Sequence, residues 1–248
     1  MRPADKGVNS KQDFKIGAHS RIVGSVTIGR KVIIGENVVI YGPARIGDGS
    51  YIGDNSIVGY PNRDELRNNI KKGSHILERS ANKGSYLGEN VIIRSGCTIY
   101  GNVRVGNNVE FGNDALVREN TTIGDDTIVG SKVIIDGNCQ VGNKVLLHSA
   151  AYICAFSRIE DGVFVGPYVV FTNDKYANQI AIKMKGPIIK KNASIGAGAI
   201  VLPGVIIEEG SLIGAGCVVT KNTKRGAIYV GNPAQKLKEV QEVRKKER

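Results

Sequence analysis

The most constraining feature of this sequence is an apolar residue at every sixth position between residues 87 and 171. Fifteen positions keep this phase: Leu87, Ile93, Ile99, Val105, Phe111, Val117, Ile123, Val129, Ile135, Val141, Leu147, Ile153, Ile159, Val165 and Phe171. The residue after each is often glycine, and the residue four places later is small or β-branched. Such regular internal repetition indicates an array of similar structural units.

A period of six matches neither an α-helix nor a simple half-buried strand. It fits short strands separated by bends, with three strands in each coil of a three-sided prism. Identical positions in successive coils then stack about 4.8 Å apart, and each coil covers the apolar layer of its neighbour. A sandwich of alternating strands is the less favoured interpretation, because its turns would break the phase.

The period occurs in three blocks, which together make about nine coils of an all-β parallel β-helix. We predict an N-terminal arm over 1–15, the β-helix over 16–226, and a C-terminal turn and helix over 227–248. Loop insertions interrupt the β-helix at 60–86 and 172–187.

Two helices are predicted outside the repeat. A short one is expected around Asp64–Asn69 in the first insertion, and a charged amphipathic one over Gln235–Arg248. The second could cover the open end of the prism, because a terminal coil needs a cap.

The formal net charge of +11 has several possible explanations. Nucleic-acid binding is not favoured, because the chain has no Trp, only 6% aromatic residues and no nucleic-acid-binding motif. A site for phosphorylated small molecules and a lysine-rich surface that only aids solubility both stay open.

Composition also bears on compartment and redox chemistry. No signal peptide or long apolar run is present, so we expect a soluble cytoplasmic protein without membrane insertion. Cys97, Cys139, Cys154 and Cys217 lie at repeat positions without paired spacing, which favours core filling over disulfides or a metal site. Cys154 falls at a bend and is expected to be the most accessible.

Residues 16–234 resemble the hexapeptide-repeat acyltransferases. The resemblance is carried by the hexads, by the segments 196–199 (Gly-Ala-Gly-Ala) and 214–216 (Gly-Ala-Gly), and by the ending Val-Gly-Asn-Pro-Ala over 230–234. It implies a left-handed parallel β-helix, a homotrimer, and acyl-coenzyme A bound between neighbouring prisms.

A narrower match is formed by residues 159–167 and the Phe-Thr-Asn-Asp segment at 171–174. These residues are similar to N-acetyltransferases that act on amino groups of nucleotide-linked sugars, notably 3-amino sugars. The resemblance implies that the loop after residue 173 helps to form the acceptor site against the adjacent subunit.

Two positions depart from that family pattern. Many relatives have a histidine where this chain has Asn113 and Asp114, and they usually have another polar residue where this chain has His148. Gly112 and His148 are 36 residues apart, which is two coils, so both positions are expected on one edge of the prism.

Acyl transfer to an amine needs a neutral amine, a donor to the oxyanion and aligned substrates. Histidine is the usual base near neutral pH. The chain has only His19, His75 and His148, and His148 is the best candidate because its bend position should point it outward. A surface histidine without function is the alternative, in which case water or the substrate takes the proton.

Other candidate site residues follow from their places in the repeat. Asn173 and Asp174 could orient a sugar amine, although Asn-Asp also favours turns. The remaining substrate-binding candidates are Asn113, Asp114, Arg118, Glu119 and Tyr176. Small residues in the last coils would let the pantetheine arm of the coenzyme lie on the backbone; these candidates are Gly196, Ala197 and Ala215. Cationic residues would bind the coenzyme phosphates; these candidates are Lys221, Lys224 and Arg225.

The predicted function is therefore acetyl transfer from acetyl-CoA to the amino group of a sugar, nucleotide-linked and destined for surface polysaccharide or glycan. Sugar O-acetylation and a non-catalytic trimeric scaffold stay open as alternatives. A γ-class carbonic anhydrase is disfavoured, because zinc needs several ligands and the histidines are 56 and 73 residues apart. No metal is expected.

Overall fold

The computed structural model describes residues 8–10, 13–73 and 84–244. They divide into two compact units, Met1–Asp126 (unit 1) and Thr127–Arg248 (unit 2). In each unit, short strands from successive coils pair in parallel to form three sheets. The predicted all-β parallel β-helix is therefore confirmed, while its left-handed sense stays a prediction.

The described residues of unit 1 form sixteen strands and one helix. In chain order the elements are β1 (Val8–Ser10), β2 (Phe14–Ile16), β3 (Arg21–Val23), β4 (Val26–Ile28), β5 (Val32–Ile34), β6 (Val39–Tyr41), β7 (Ala44–Ile46), β8 (Tyr51–Ile52), β9 (Ile57–Tyr60), α1 (Arg63–Lys71), β10 (Ser85–Leu87), β11 (Ile92–Ile93), β12 (Thr98–Tyr100), β13 (Arg104–Val105), β14 (Glu110–Phe111), β15 (Leu116–Val117) and β16 (Thr122–Ile123). Every third strand belongs to the same sheet: β1 starts sheet A, β2 sheet B and β3 sheet C.

Unit 2 is built in the same way, and its described residues end in a strand pair and a short helix. Its elements are β17 (Ile128–Val129), β18 (Ile134–Ile135), β19 (Gln140–Val141), β20 (Leu146–Leu147), β21 (Tyr152–Ile153), β22 (Arg158–Ile159), β23 (Phe164–Val165), β24 (Val170–Phe171), β25 (Ile188–Ile189), β26 (Ser194–Ile195), β27 (Ile200–Val201), β28 (Ile206–Ile207), β29 (Leu212–Ile213), β30 (Val218–Val219), β31 (Ala227–Val230), β32 (Gln235–Glu239) and α2 (Val240–Arg244). Every third strand of unit 2 again belongs to the same sheet, and we use the same names within this unit: β17 starts its sheet B, β18 its sheet C and β19 its sheet A.

The six-residue period of the sequence is the spacing, along the chain, between successive side chains that point into the core. In most strands the second residue points inward, and the inward residues from Leu87 to Phe171 are each no more than 4% exposed. Ile93 pairs with Phe111 and Leu147 with Val165, so one coil in these uninterrupted stretches is eighteen residues long. Each inward side chain consequently packs on its counterpart in the next coil.

The strands are joined by three corners in each unit, which we name by the sheets that they connect: A–B, B–C and C–A. Many corners begin with a glycine, for a steric reason illustrated by Gly142. A Cβ at Gly142 would lie 2.4 Å from Asp161 Oδ1 and 2.8 Å from Asp161 N in the next coil. That oxygen already accepts a hydrogen bond from the N–H of Asn143 at 2.8 Å, so the corner has no space for a side chain.

The outward-pointing strand residues differ between the sheets. Sheet C is apolar or Thr from β6 onward, and all these residues are half-buried: Val39, Ile57, Thr98 and Leu116 in unit 1, and Ile134, Tyr152, Val170, Ile200 and Val218 in unit 2. Sheet A has the exposed Thr27, Arg45, Tyr86, Arg104 and Thr122 in unit 1, and the exposed Gln140 and Arg158 followed by the half-buried Ile188 and Ile206 in unit 2. The outer surface of sheet C is therefore the more uniformly apolar of the two, which is the composition of an interface.

The predicted number of coils was too low. Unit 1 has five full coils and one further strand, and unit 2 has five, so the described residues form at least ten coils rather than nine. Strand β1 lies within the range 1–15 and β31 within the range 227–248, where the aliphatic period is absent. These terminal strands pair with β4 and β29, although their sequences do not follow the repeat.

The predicted C-terminal helix is shorter than expected. Residues Gln235–Glu239 form β32, which pairs antiparallel with β31, and only Val240–Arg244 are helical among the described residues. Leu237 lies in the segment that was expected to cover the open end of the prism, but it is 59% exposed. Pairing satisfies the backbone groups at the edge of sheet B, which a helix would leave open.

The first insertion contains the predicted short helix, α1. Asn62 accepts a hydrogen bond from the N–H of Glu65, and the Glu65 carboxylate accepts one from the N–H of Asn62. This capping box explains why the helix begins at Arg63. Arg79 and Lys83 of the same insertion lie outside the described residues.

The cysteines fill the core, as predicted, and Cys154 is buried rather than accessible. Burial raises the pKa of the Cys97 and Cys154 thiols to about 11 and that of Cys139 to about 12. All three are therefore protonated at neutral pH and are poor nucleophiles. No described helix is long and apolar enough to cross a lipid bilayer.

We predict that Phe111→Ala lowers the free energy of unfolding by about 3–5 kcal/mol, because it leaves a cavity in a fully buried layer. Thr122→Ala, at an exposed outer position of sheet A, is the matched control and should change it by less than about 0.5 kcal/mol. Equilibrium denaturation in urea measures both; equal effects would contradict the inward assignment of Phe111.

Candidate functional site

Four of the predicted site residues lie on the B–C corner of unit 2. His148 begins the corner after β20, Gly196 and Ala197 follow β26, and Ala215 belongs to the corner after β29. The first position of this corner is glycine in four other coils, at 130, 166, 196 and 214. His148 is therefore the one large side chain among these five first positions of unit 2.

The imidazole of His148 packs against the aromatic ring of Phe164, one coil above it. The two ring centroids are 5.1 Å apart and the ring planes are tilted by 58°. Phe164 is 36% exposed at an outer position of sheet B, and His148 is half-buried. This contact holds the imidazole beside the corner, with part of its surface open to solvent.

The upper part of the same corner presents backbone N–H groups. In unit 1, Asp54 Oδ1 accepts the hydrogen bond of the Glu36 N–H at the equivalent corner position. One coil beyond Ala197, the position that corresponds to Asp54 is occupied by Ala215. The methyl group of Ala215 cannot accept a hydrogen bond from the Ala197 N–H. Within the described residues the N–H groups of Ala197 and Ala215 have no acceptor, and both residues are exposed.

Asn173 and Asp174 lie on a different corner, C–A, where the second insertion begins. The Asn173 side-chain amide donates to the carbonyl of Ala155 at 3.3 Å. Asp174 accepts hydrogen bonds from the N–H groups of Tyr176 and Asn178 at 2.9 and 2.7 Å. Both side chains therefore shape the loop, as the turn interpretation of Asn-Asp predicted, and Asp174 is half-buried.

Residues 175–185, which we call the exposed loop, project from this corner. Every residue in the segment is exposed. The Nζ of Lys175 lies 5.5 Å from the ring centre of Tyr176, and Tyr176 itself is 40% exposed. Ile180, Ile182 and Met184 are 40–54% exposed, an apolar surface that unit 2 itself does not cover.

The predicted coenzyme-binding cations do not lie on the B–C corner. Lys221 is exposed after β30, on the C–A side, and the Lys224 N–H donates to the Tyr229 hydroxyl at 2.9 Å. Arg225 pairs with Glu209 at 3.0 Å on the A–B corner. A cavity of about 630 Å³ there is lined by Arg225, Glu209 and residues of the β32–α2 segment, away from His148.

The remaining predicted residues belong to unit 1. Asn113 and Asp114 are exposed on its B–C corner. Arg118 and Glu119 lie on its C–A corner, where the Arg118 Nη2 is 3.0 Å from Glu119 Oε1. The guanidinium of Arg118 also lies 5.7 Å from the ring centre of Tyr100.

Within unit 2 the structure therefore divides the candidates between corners. His148, Gly196, Ala197 and Ala215 share the B–C corner, while Asn173, Asp174 and Tyr176 share the C–A corner. A full side of the prism, sheet C, separates these two groups. They cannot contact one another within one chain.

Sequence reasoning missed three aromatic residues near these corners. Phe164 supports His148, Tyr168 projects from the B–C corner with 70% of its surface exposed, and Phe156 projects from the C–A corner with 49% exposed. Phe156 and Tyr168 occupy turn positions where the repeat usually has Asn, Asp or Gly. That mismatch was the signal that could have identified them.

The described side chains contain no group of three His, Cys, Asp or Glu residues placed to hold a metal ion. His75 lies outside the described residues.

Three solved structures are similar in fold. AntD, an N-acyltransferase from Bacillus cereus in complex with dTDP and coenzyme A, is 20% identical over 76% of this chain and 96% of its own, with a TM-score of 0.45. The UDP-N-acetylglucosamine acyltransferase of Arabidopsis is 15% identical over 98% and 76%, with a TM-score of 0.43. A Vibrio cholerae acetyltransferase complexed with acetyl coenzyme A is 20% identical over 47% and 69%, with a TM-score of 0.42. These likenesses concern the fold alone.

A search of curated protein sequences found no match. The sequence does match the family described as bacterial transferase hexapeptide (six repeats), over residues 25–60, 84–119 and 186–221. The matched segments coincide with coils whose inward aliphatic residues form the core in both units. The chain therefore carries the hexapeptide repeats of this family in three segments, which together cover 108 of its 248 residues.

Proposed function

We propose that this protein is an acetyl-CoA-dependent acetyltransferase that modifies the amino group of a nucleotide-linked sugar. The observation that carries the proposal is the B–C corner of unit 2, where exposed backbone N–H groups at Ala197 and Ala215 lie on the same corner as His148. Both residues are exposed, so a ligand has access to these N–H groups.

The corner suits an extended donor with amide groups. Successive coils are about 4.8 Å apart, so Gly196 lies two coils and roughly 10 Å above His148. A pantetheine arm along this line would pair its carbonyl oxygens with the backbone N–H groups. Hydrogen bonds of this kind position the thioester without a charged side chain.

The acceptor side of the site is proposed to come from a second copy of the chain. Sheet C lies between the B–C and C–A corners, and its outer surface in unit 2 is apolar throughout. If three copies turn sheet C towards a common threefold axis, the B–C corner of each copy meets the C–A corner of the next. A head-to-tail interface of this type closes into a ring.

This arrangement brings together residues that one chain keeps apart. Asn173 and Asp174 of one copy would then lie opposite His148 of its neighbour, and the exposed loop would cover the crevice. The apolar residues Ile180, Ile182 and Met184 would thereby lose contact with water. Burial of such side chains favours the assembly by roughly 25 cal/mol for each Å² removed from water.

The proposed reaction is a direct transfer. The neutral amine attacks the thioester carbonyl, a tetrahedral oxyanion forms, and the carbon–sulfur bond then breaks to release the coenzyme thiolate. His148 accepts the amine proton and passes it to the leaving sulfur. Asp174 holds the exposed loop through the Tyr176 and Asn178 N–H groups, which fixes the acceptor beside the imidazole.

The donor subsite is tested by Ala215→Asp. Because Asp54 accepts the Glu36 N–H at an equivalent corner, the new carboxylate should accept the Ala197 N–H and block the donor without unfolding the chain. We expect the KM for acetyl-CoA to rise at least about tenfold, which corresponds to 1.4 kcal/mol. Ala215→Gly is the control and should stay within about threefold of the wild type; an unchanged KM in Ala215→Asp would contradict the donor subsite.

The base is tested by His148→Ala. If the imidazole takes the amine proton, kcat/KM should fall at least about tenfold, and the acidic limb of its pH profile should disappear. His148→Gln keeps a polar side chain at the corner and should be equally slow. Turnover that is unchanged across the pH range would remove His148 from this role and leave proton transfer to water or substrate.

The assembly is tested by Ile200→Lys on the outer surface of sheet C. A buried, unpaired ammonium is unfavourable, so sedimentation should show monomers and acetyl transfer should be lost. Gln140→Lys places the same charge on the exposed outer surface of sheet A and should remain trimeric and active. A wild-type chain that sediments as a monomer would refute the shared crevice.

A further inference from the structure

Two aromatic residues of unit 2 adopt a backbone conformation that their side chains disfavour. The described residues include twenty non-glycine residues with positive φ, and most are Asn, Asp, Lys or Ala. Phe156, with φ of 69°, and Tyr168, with φ of 58°, are the Phe and Tyr residues in this group. Bulky side chains are outliers in the left-handed region, where Gly, Asn and Asp are favoured.

Packing within the chain does not explain these two residues. Phe156 and Tyr168 are 49% and 70% exposed, so neither ring is held by the core. Tyr168 lies between Ala150 and Gly198 on the B–C corner, and Asn138 precedes Phe156 on the C–A corner. In adjacent coils the same turn position is therefore occupied by a small or amide residue. The turn itself does not require an aromatic side chain. Strained, exposed residues of this kind concentrate at functional sites.

The two rings lie on the two corners that the proposed trimer brings together. Phe156 is one residue after Ala155, whose carbonyl accepts the Asn173 amide at the base of the exposed loop. Tyr168 is four residues after Phe164, which supports His148. One ring therefore flanks the acceptor side of the crevice and the other flanks the donor side.

The exposed loop adds positive charge beside Phe156. It contains Lys175, Lys183 and Lys185, and among the described residues none of these lysines forms a salt bridge with a carboxylate. The nearest acidic residue in sequence, Asp174, accepts two backbone hydrogen bonds in the loop. Two aromatic rings can stack on a flat nucleobase, and nearby lysines can bind an anionic group. A nucleoside diphosphate supplies both of these features.

We infer that Phe156 of one copy and Tyr168 of the neighbouring copy clamp the base of a nucleoside diphosphate, with the loop lysines facing its phosphates. The inference rests on the proposed function and names its acceptor as a sugar linked to a nucleoside diphosphate. The backbone strain at both residues is then balanced by stacking on the bound base rather than by contacts within the chain.

Isothermal titration of the full chain with UDP, dTDP, GDP and CDP tests this clamp. The wild type should bind at least one of them, and Phe156→Asn and Tyr168→Asn should each weaken that binding by roughly tenfold or more. Because Asn suits the left-handed region, both variants should also raise the thermal midpoint by about 2–4 °C. Tyr168→Phe should keep the affinity within about threefold and leave the midpoint unchanged.

Lys144→Asn is the matched control, because Lys144 is exposed at φ of 54° on the A–B corner. It should raise the midpoint without changing nucleotide affinity. The clamp is refuted if the wild type binds none of the four nucleotides, or if both Asn variants bind them as tightly as the wild type. The clamp is also refuted if the two Asn variants bind nucleotide as tightly as the wild type but have a lower thermal midpoint and partly lose the trimer. That result would assign the two rings to packing between subunits.

Titration with acetyl-CoA separates this inference from the proposed function. Acetyl-CoA should bind the wild type and Phe156→Asn with similar affinity, because Phe156 lies on the C–A corner, away from the proposed donor subsite. A chain that binds acetyl-CoA but none of the nucleotides refutes the clamp alone. A chain that does not bind acetyl-CoA refutes the proposed function.

Discussion

The structure depends on the stacking of one apolar side chain on its counterpart in the next coil. Parallel pairing repeats this contact about every 4.8 Å, and the inward residues of each sheet pack in continuous columns. A corner can be varied freely only if it leaves these columns undisturbed. The core therefore specifies the fold, and the corners and loops carry the differences on which function depends.

The corners differ because some of their backbone N–H groups are already occupied. Asp161 and Asp54 accept such groups from the preceding coil. Ala197 and Ala215 leave the corresponding donors free within the described chain. The same position in the repeat thus serves stability in one coil and is available for ligand binding in another, and the difference is the presence or absence of one carboxylate.

The sequence predicted the fold well because its period is set by the core. The inward phase from Leu87 to Phe171 and the helix near Asp64–Asn69 were both confirmed. The strands β1 and β31 were missed, because pairing at a sheet edge does not require the aliphatic period. Residues 235–239 were wrongly predicted as helix, since alternating Gln, Lys and Leu also suits an edge strand.

The candidate site was harder to predict from the sequence. Its residues were chosen for their chemistry, although the eighteen-residue coil already places Asn173 and His148, which are 25 residues apart, on different corners. Phe156 and Tyr168 occupy turn positions where the repeat usually has Asn, Asp or Gly, but their positive φ and their exposure are known only from the structure. The structure was also needed to show that the N–H groups of Ala197 and Ala215 have no acceptor within the described residues.

The most direct test of a site shared between copies is complementation between two impaired variants. Ala215→Asp alters the B–C corner and Asp174→Ala alters the C–A corner, so trimers of either variant alone should transfer acetyl groups at least about tenfold more slowly than the wild type at acetyl-CoA well below KM. Trimers assembled from equal amounts of the two chains should regain about one quarter of wild-type activity, because about one crevice in four then combines two unaltered corners. Mixed trimers as slow as either parent would contradict a crevice built from two copies.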